Sequence, residues 1–331
     1  MTEIEVRAKS YKDTARDIAR RIFRNENAVL GAILVVLIAI FAVLTKGHVI
    51  TRKNVLGVLV QSSVRGIAAM GQTFVILTGG IDLSVGSVAL LVMALAATFM
   101  QGKVGLQPTV AGVAIMLITG MAIGTTSGLA VSRIKMPALI TTFALWIALK
   151  GVALRISGGY IITNIPKPIG FLGQSYIAGF PVIGIAFITI AAITYFVLNH
   201  TTFGRSVYAT GGNPVSAWLS GINVRNVIVV VFAICGLTAG IASWATMSRI
   251  ACFTMAAVEG LEIDAIAVTV IGGISLMGGR GSVIGVVFGT FILGVISNGM
   301  NILAVAPAYQ TIAKGAIIYA AVAIDYMRRQ R

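Results

Sequence analysis

Charge is what this chain has least of. Only 11% of its 331 residues are Asp, Glu, Lys or Arg, against roughly a quarter in ordinary soluble domains. Acid is scarcer still: ten Asp and Glu in all, five of them before residue 28. An enzyme embedded in a membrane needs clustered acids, bases or metal ligands, and few groups remain to supply them. The two cysteines, Cys235 and Cys252, carry no framework, because at about 1.5 Å per helical residue they lie too far apart to bridge. The two histidines, His48 and His200, fall at opposite ends of apolar runs and cannot share a metal. No Gly-Lys-Ser or Gly-Lys-Thr occurs, which excludes a P-loop. Zinc-protease, paired-cysteine and nucleophile-elbow motifs are missing as well. The expectation is a chain with no catalytic residue, no metal and no cofactor of its own.

What is abundant is apolar. Hydrophobic residues make up 57% of the chain, and the mean hydropathy is +0.97. Runs such as residues 28–44 and 225–247 reach the roughly 17–25 residues that cross a bilayer. The fold class read from this is an all-α polytopic membrane protein. About ten spans are expected, at residues 28–44, 54–79, 84–100, 108–132, 138–154, 182–199, 226–247, 263–278, 282–303 and 309–326. Arg65, Gly66 and Gly71 leave the second span open to a bend or a break.

The net charge of +15 would suit nucleic acid, but the basic residues sit at span ends and no aromatic-interleaved basic module occurs. They read as flanks of membrane spans, with no nucleic-acid partner. Fifteen of the 25 Lys and Arg fall on the N-terminal side of the membrane and eight on the other, which puts both termini in the cytoplasm. Residues 1–27, with seven basic and five acidic side chains, form a separate cytoplasmic tail. It is too long and mixed for a signal peptide. Tyr11, Ala15, Ile18 and Ile22 recur at helical spacing, so an amphipathic helix on the membrane surface and a solvated tail both stay open. Residues 28–331 are the transmembrane domain.

One polar pause breaks the apolar pattern on the cytoplasmic side, residues 200–224. Gly211 and Gly212 allow a turn, Asn213 is a good N-cap, and Pro214 suits the first helical position. Val215, Ser216 and the residues to Ser220 can be helical, and Gly221 is placed to end the helix in the left-handed conformation. Val215, Trp218 and Leu219 share one face. Such a face rests on lipid or docks into a partner.

Polar groups near the membrane are costly and therefore informative. Asp82 and Ser84 interrupt an apolar region, and either can cap the helix that follows. Glu259, Glu262 and Asp264 gather three of the five acids outside the tail and either fringe a span or serve at its mouth. Arg65 is expected to face protein or water, through pairing, backbone hydrogen bonds or substrate. Lys314 reads as a snorkelling side chain.

Four motifs in order carry a resemblance: "GGIDLSVGS", "GRSVYATGGNPVSAWLSGINV", "EIDAIAVTVIGGISLMGGRGSVIG" and "YQTIAKGAIIYAAV". From about Asn54 onward the chain resembles the ribose-type permeases of bacterial ATP-binding-cassette importers. The resemblance implies an inner-membrane subunit that passes a monosaccharide inward. A periplasmic binding protein would deliver the sugar, and a cytoplasmic ATPase, using ATP and Mg, would drive the cycle. A second permease chain, identical or related, would complete the pore. The polar pause becomes the ATPase-coupling segment, carried by Arg205, Asn213, Pro214, Val215, Ser216, Trp218, Leu219, Ser220 and Gly221. Arg65, Asp82, Ser84 and Gly86 are assigned to the pathway or the family motif, and Glu259, Glu262 and Asp264 to the periplasmic mouth. Arg65 lies outside the family signature. A secondary transporter is the alternative. It would need a coupling-ion site, for which only Arg65, Asp82 and Lys314 are placed.

Overall fold

A computed structural model describes residues 26–329, so nearly all of the 1–27 tail lies outside the described residues. Ten longer helices follow in order: α1 Glu26–Leu44, α2 Arg52–Leu77, α3 Val85–Met100, α4 Leu106–Ser132 and α5 Ala138–Ser157, then α7 Val182–His200, α10 Val224–Ile250, α11 Leu261–Ile271, α12 Val283–Ile302 and α13 Pro307–Arg329. Three further helices lie between these: α6 Phe171–Gln174, α8 Thr202–Gly212, which at 11 residues equals α11, and α9 Pro214–Leu219. A two-residue hairpin, β1 Tyr176–Ile177 against β2 Phe180–Pro181, precedes α7.

Six helices among the described residues are long and apolar enough to cross a membrane: Asn27–Leu44 within α1, and α4, α5, α7, α10 and α12. The shorter α3 is apolar too. Their outward faces carry large apolar side chains, including Val35 and Val36 of α1, Ile118 of α4 and Phe196 of α7. That pattern suits hydrocarbon, where an exposed Val costs nothing.

The centre of the bundle is α2. From Ser62 to Leu77 every residue but Arg65 is buried, as expected for a helix enclosed on all sides. α7, α10, α11 and α12 all pack on it. The expected bend or break does not occur, because α2 is one unbroken helix through Gly66 and Gly71. Those glycines admit neighbours instead: Phe187 of α7 sits over Gly66, and Cys235 and Thr238 of α10 sit over Gly71. Cys235 is fully buried, as its mid-span position suggested, and Cys252 is unbonded.

The longest helix pair, α4 with α10, meets backbone to backbone. A Cβ on Gly120 would strike the Gly236 carbonyl, one on Gly124 the Phe232 carbonyl, and one on Gly236 the Gly120 carbonyl. In a bilayer, where apolar side chains gain little by leaving lipid, such close approach supplies the dispersion contacts that hold helices together.

The expected eighth span is corrected. α11 ends at Ile271 after 11 residues, about 16 Å at 1.5 Å per residue, or roughly half of a ~30 Å hydrocarbon core. Residues 272–282 continue as irregular chain, with Gly273, Gly278, Gly279 and Gly281 at positive φ. Irregular backbone at membrane depth survives only where protein covers it. Here Gly279 N–H donates to the carbonyl of Leu77 at the end of α2 (2.9 Å), and Ser275 N–H to that of Arg280 (3.0 Å).

The α4–α10 seam gives the first test. Gly124→Ala should lose about 1–3 kcal/mol through overpacking, seen as a lower Tm of the detergent-purified protein. Gly151→Ala on α5, where no atom lies within 4 Å of the added Cβ, should melt unchanged or slightly higher. Equal shifts would mean that the seam is not tight.

Candidate functional site

Two regions, one at the C-terminal end of α2 and one beside its middle, gather the expected residues. The first is the polar pause. Thr201 caps α8, its hydroxyl accepting from Gly204 N–H at 3.1 Å. Gly211 and Gly212 do not make the expected turn. They complete α8, where Gly211 is pressed so closely on the Leu77 carbonyl and Gly279 that a Cβ would collide. The chain turns at Asn213 instead, which is extended (φ −159°, ψ 105°). The Asn213 side-chain oxygen accepts from Val215 N–H and Ser216 N–H, both at 3.0 Å. Pro214 opens α9 where its missing N–H costs nothing. Gly221 closes the helix at φ +85°, where a β-branched residue would be strained. Ser220 Oγ donates to the Ser216 carbonyl at 2.9 Å. Ala217 is buried against the body, whereas Val215, Trp218 and Leu219 are 65%, 67% and 72% exposed. Arg205 is exposed on α8. Tyr208 of α8 donates its hydroxyl to the Gly281 carbonyl at 3.1 Å, tying this segment to the irregular chain after α11.

Near this end, Asp82 is buried in the α2–α3 junction. The capping expectation is corrected: Ser84 precedes α3 without a side-chain cap bond. Asp82 Oδ1 accepts instead from Ser84 N–H (2.8 Å) and Ser84 Oγ–H (2.6 Å), folding the loop on itself. The Thr142 hydroxyl of α5 bonds both sides of this loop, donating to the Ile81 carbonyl (3.2 Å) and accepting from Leu83 N–H (3.1 Å).

The second region holds the acids. Glu262 and Asp264 are not solvated fringe. Glu262 is buried at the start of α11 and accepts from Trp146 Nε1–H of α5 at 3.0 Å. Lys150 lies over the same indole, 4.6 Å from its centroid. Gly86 is what lets Glu262 in, because a Cβ there would overlap the carboxylate. Asp264 is shared by two cations: Arg65 Nε of α2 at 2.7 Å and Lys314 Nζ of α13 at 3.1 Å. Arg65 is therefore paired within protein, one of the outcomes its cost in lipid allowed. Lys314, expected to snorkel, reaches inward to Asp264 instead. Glu259 alone of the three acids is exposed. A cavity of about 180 Å³ opens beside the pair, lined by Gln61, Val64, Arg65, Thr246, Arg249, Ala257, Val258, Glu259, Leu261 and Asp264. Sequence reasoning missed Gln61, Arg249 and Trp146, which carry no local motif.

Because Asp264 serves two cations, its loss should exceed the loss of either. Asp264→Asn leaves Arg65 and Lys314 facing each other without an anion, an arrangement that typically costs about 3–5 kcal/mol when partly buried. Arg65→Gln leaves the Asp264–Lys314 pair standing and should cost less. Thermal unfolding of the two variants in detergent checks the order, and the reverse order would mean that Asp264 is held mainly by other groups.

Residues 54–322 match the family described as the permease component of branched-chain amino acid transport systems. The ribose import permease protein RbsC of Escherichia coli (strain K12) is 38% identical over 300 residues, covering 88% of this chain and 91% of its own. The D-allose transport system permease protein AlsC of the same strain is 37% identical over 294 residues, 88% and 89% of the two chains. The fructose import permease protein FrcC of Rhizobium meliloti is 34% identical over 315 residues, 92% and 86%. No solved structure matches the chain. With the match running from the start of α2 into α13, the chain belongs to this family of transport-system permease components.

Proposed function

We propose that this chain is the membrane-spanning permease subunit of an ATP-driven importer that moves a monosaccharide from a periplasmic binding protein to the cytoplasm. The observation that carries the reading is α9. It is a six-residue helix capped at both ends and seated on the body through Ala217, with Val215, Trp218 and Leu219 exposed on one face. A surface so firmly built and so apolar suits a groove on a partner, with Trp218 as its anchor. The partner is a cytoplasmic ATPase, which supplies the nucleotide site and the Mg that this chain's motifs do not offer. The relatives named for ribose, allose and fructose support a sugar as the cargo.

The same reading has ten segments entering an inner (cytoplasmic) membrane, with both termini in the cytoplasm, surrounded by lipid and paired with a second permease chain, identical or related. In favour of that sidedness, α8 packs at the C-terminal end of α2, while Arg65 and the acidic cluster lie twelve residues back along it, about 18 Å toward the opposite face at 1.5 Å per residue. The second region is then the periplasmic mouth. Glu259 faces the binding protein, while Glu262 and Asp264 hold the helices that frame the opening. Asp82, Ser84 and Gly86 fix the α2–α3 junction beside the pathway.

Purified permease alone in liposomes should show no ATP-dependent uptake, and addition of its ATPase and binding protein should restore it. Robust uptake by the permease alone would sink the reading. Trp218→Glu should leave the bundle folded yet weaken its hold on the ATPase about tenfold to a hundredfold, since burying a large apolar side chain is worth about 1.5–3 kcal/mol. Co-purification of the ATPase and sugar-stimulated hydrolysis are the readouts. Wild-type values for both would return α9 to the lipid surface.

A further inference from the structure

The cavity beside Asp264 has a donor and acceptor pattern that specifies its ligand. At about 180 Å³ it falls below the roughly 300–1,000 Å³ of sites that enclose drug-sized molecules, so it takes one small ligand. Arg65 and Asp264 on its wall are already joined at 2.7 Å. Gln61, Arg249 and Glu259 are different: among the described residues no hydrogen bond or ion pair engages their side-chain polar ends. They offer, in turn, a donor with an acceptor, a fork of donors and an acceptor pair. Arg249 also stands within electrostatic reach of Arg65, so the two guanidiniums repel unless polar groups come between them.

A hydroxyl both donates and accepts, and a ring of hydroxyls matches such a mixed set. With Arg65 and Asp264 already engaged with each other, an anion drawn to Arg249 would meet Glu259, and a cation drawn to Glu259 would meet Arg249. Neutral polar ligands are opposed by neither. Val64, Ala257 and Leu261 supply an apolar patch on the same wall, suited to the C–H face of a sugar ring.

We infer that this cavity is a receiving site for one neutral monosaccharide, with Gln61, Arg249 and Glu259 binding its hydroxyls and the Arg65–Asp264–Lys314 bridge forming a fixed wall. The inference rests on the sugar-importer reading and deepens it, by placing selectivity for uncharged sugars in the permease itself. The three ligand-facing residues come from α2, the end of α10 and the segment before α11. A ligand bridging them would join the elements that meet at the mouth.

The test uses the permease–ATPase complex in nanodiscs, without binding protein. Saturation-transfer NMR is recorded with D-ribose, D-allose and D-fructose, and with D-gluconate as the charged comparison. At least one neutral sugar should receive saturation and D-gluconate should not. Gln61→Leu and Glu259→Gln, both at exposed positions where folding is not at risk, should each weaken that binding about tenfold, the value of one hydrogen bond to a charged or polar partner. Arg249→Lys, which keeps the charge but loses the fork, should weaken it too. Binding unchanged in all three variants, or stronger binding of D-gluconate, would overturn the inference. Uptake is measured in parallel with binding protein added. Uptake of a neutral sugar alongside unchanged variant binding, or alongside no saturation at all, overturns the cavity alone. If no sugar is taken up or bound, the importer reading falls with it.

Discussion

A polar group inside a membrane protein has to find its partner within the protein, and the cost of failing is several kcal/mol per group. That constraint explains where the few charges of this chain have gone. Asp264 holds two cations from different helices, Glu262 takes an indole N–H, and Asp82 satisfies itself on Ser84. It also explains the short α11. The backbone that leaves the helix at Ile271 is wrapped by α2, which accepts its Gly279 N–H, by α8, which donates to its Gly281 carbonyl, and by its own turns, partners that lipid cannot provide.

Some of this was legible in the sequence because its signals are local. Asn213, Pro214 and Gly221 each have one favourable place in a helix, and together they bracket α9 without help from tertiary contacts. The expense of Arg65 in lipid pointed to a protein or water environment before any partner was known. The identity of that partner was not legible. Lys314 and Asp264 are 50 residues apart, and nothing in either segment names the other. Lys314 is long enough to snorkel or to turn inward, and only packing decides.

Other misreadings have the same origin. The run from Ala265 to Leu276 carries no charge and only two hydroxyls, Thr269 and Ser275, so hydropathy extends α11 past Gly272 and Gly273, where the backbone in fact departs. Glycines in α2 suggested a hinge, because composition cannot tell a glycine that bends from one that admits a neighbour. The four-residue spacing of Gly120, Gly124 and Gly128, matched by Gly236 and Gly240, was present as a readable sign of close helix contact. Its meaning depended on which helix lay opposite.

The unbroken course of α2 has a mechanical consequence. Its last carbonyl, on Leu77, is gripped by Gly279 and abutted by Gly211 of α8, while Arg65 holds Asp264 twelve residues away, about 18 Å along the axis at 1.5 Å per residue. A rod of that length works as a lever arm. A tilt of about 5° at the Leu77 end would carry Arg65 sideways by roughly 1.5 Å for an 18 Å arm, more than half the length of its 2.7 Å contact with Asp264. Stiffness in α2 thus delivers a small push at its C-terminal end to the ion pair at its middle.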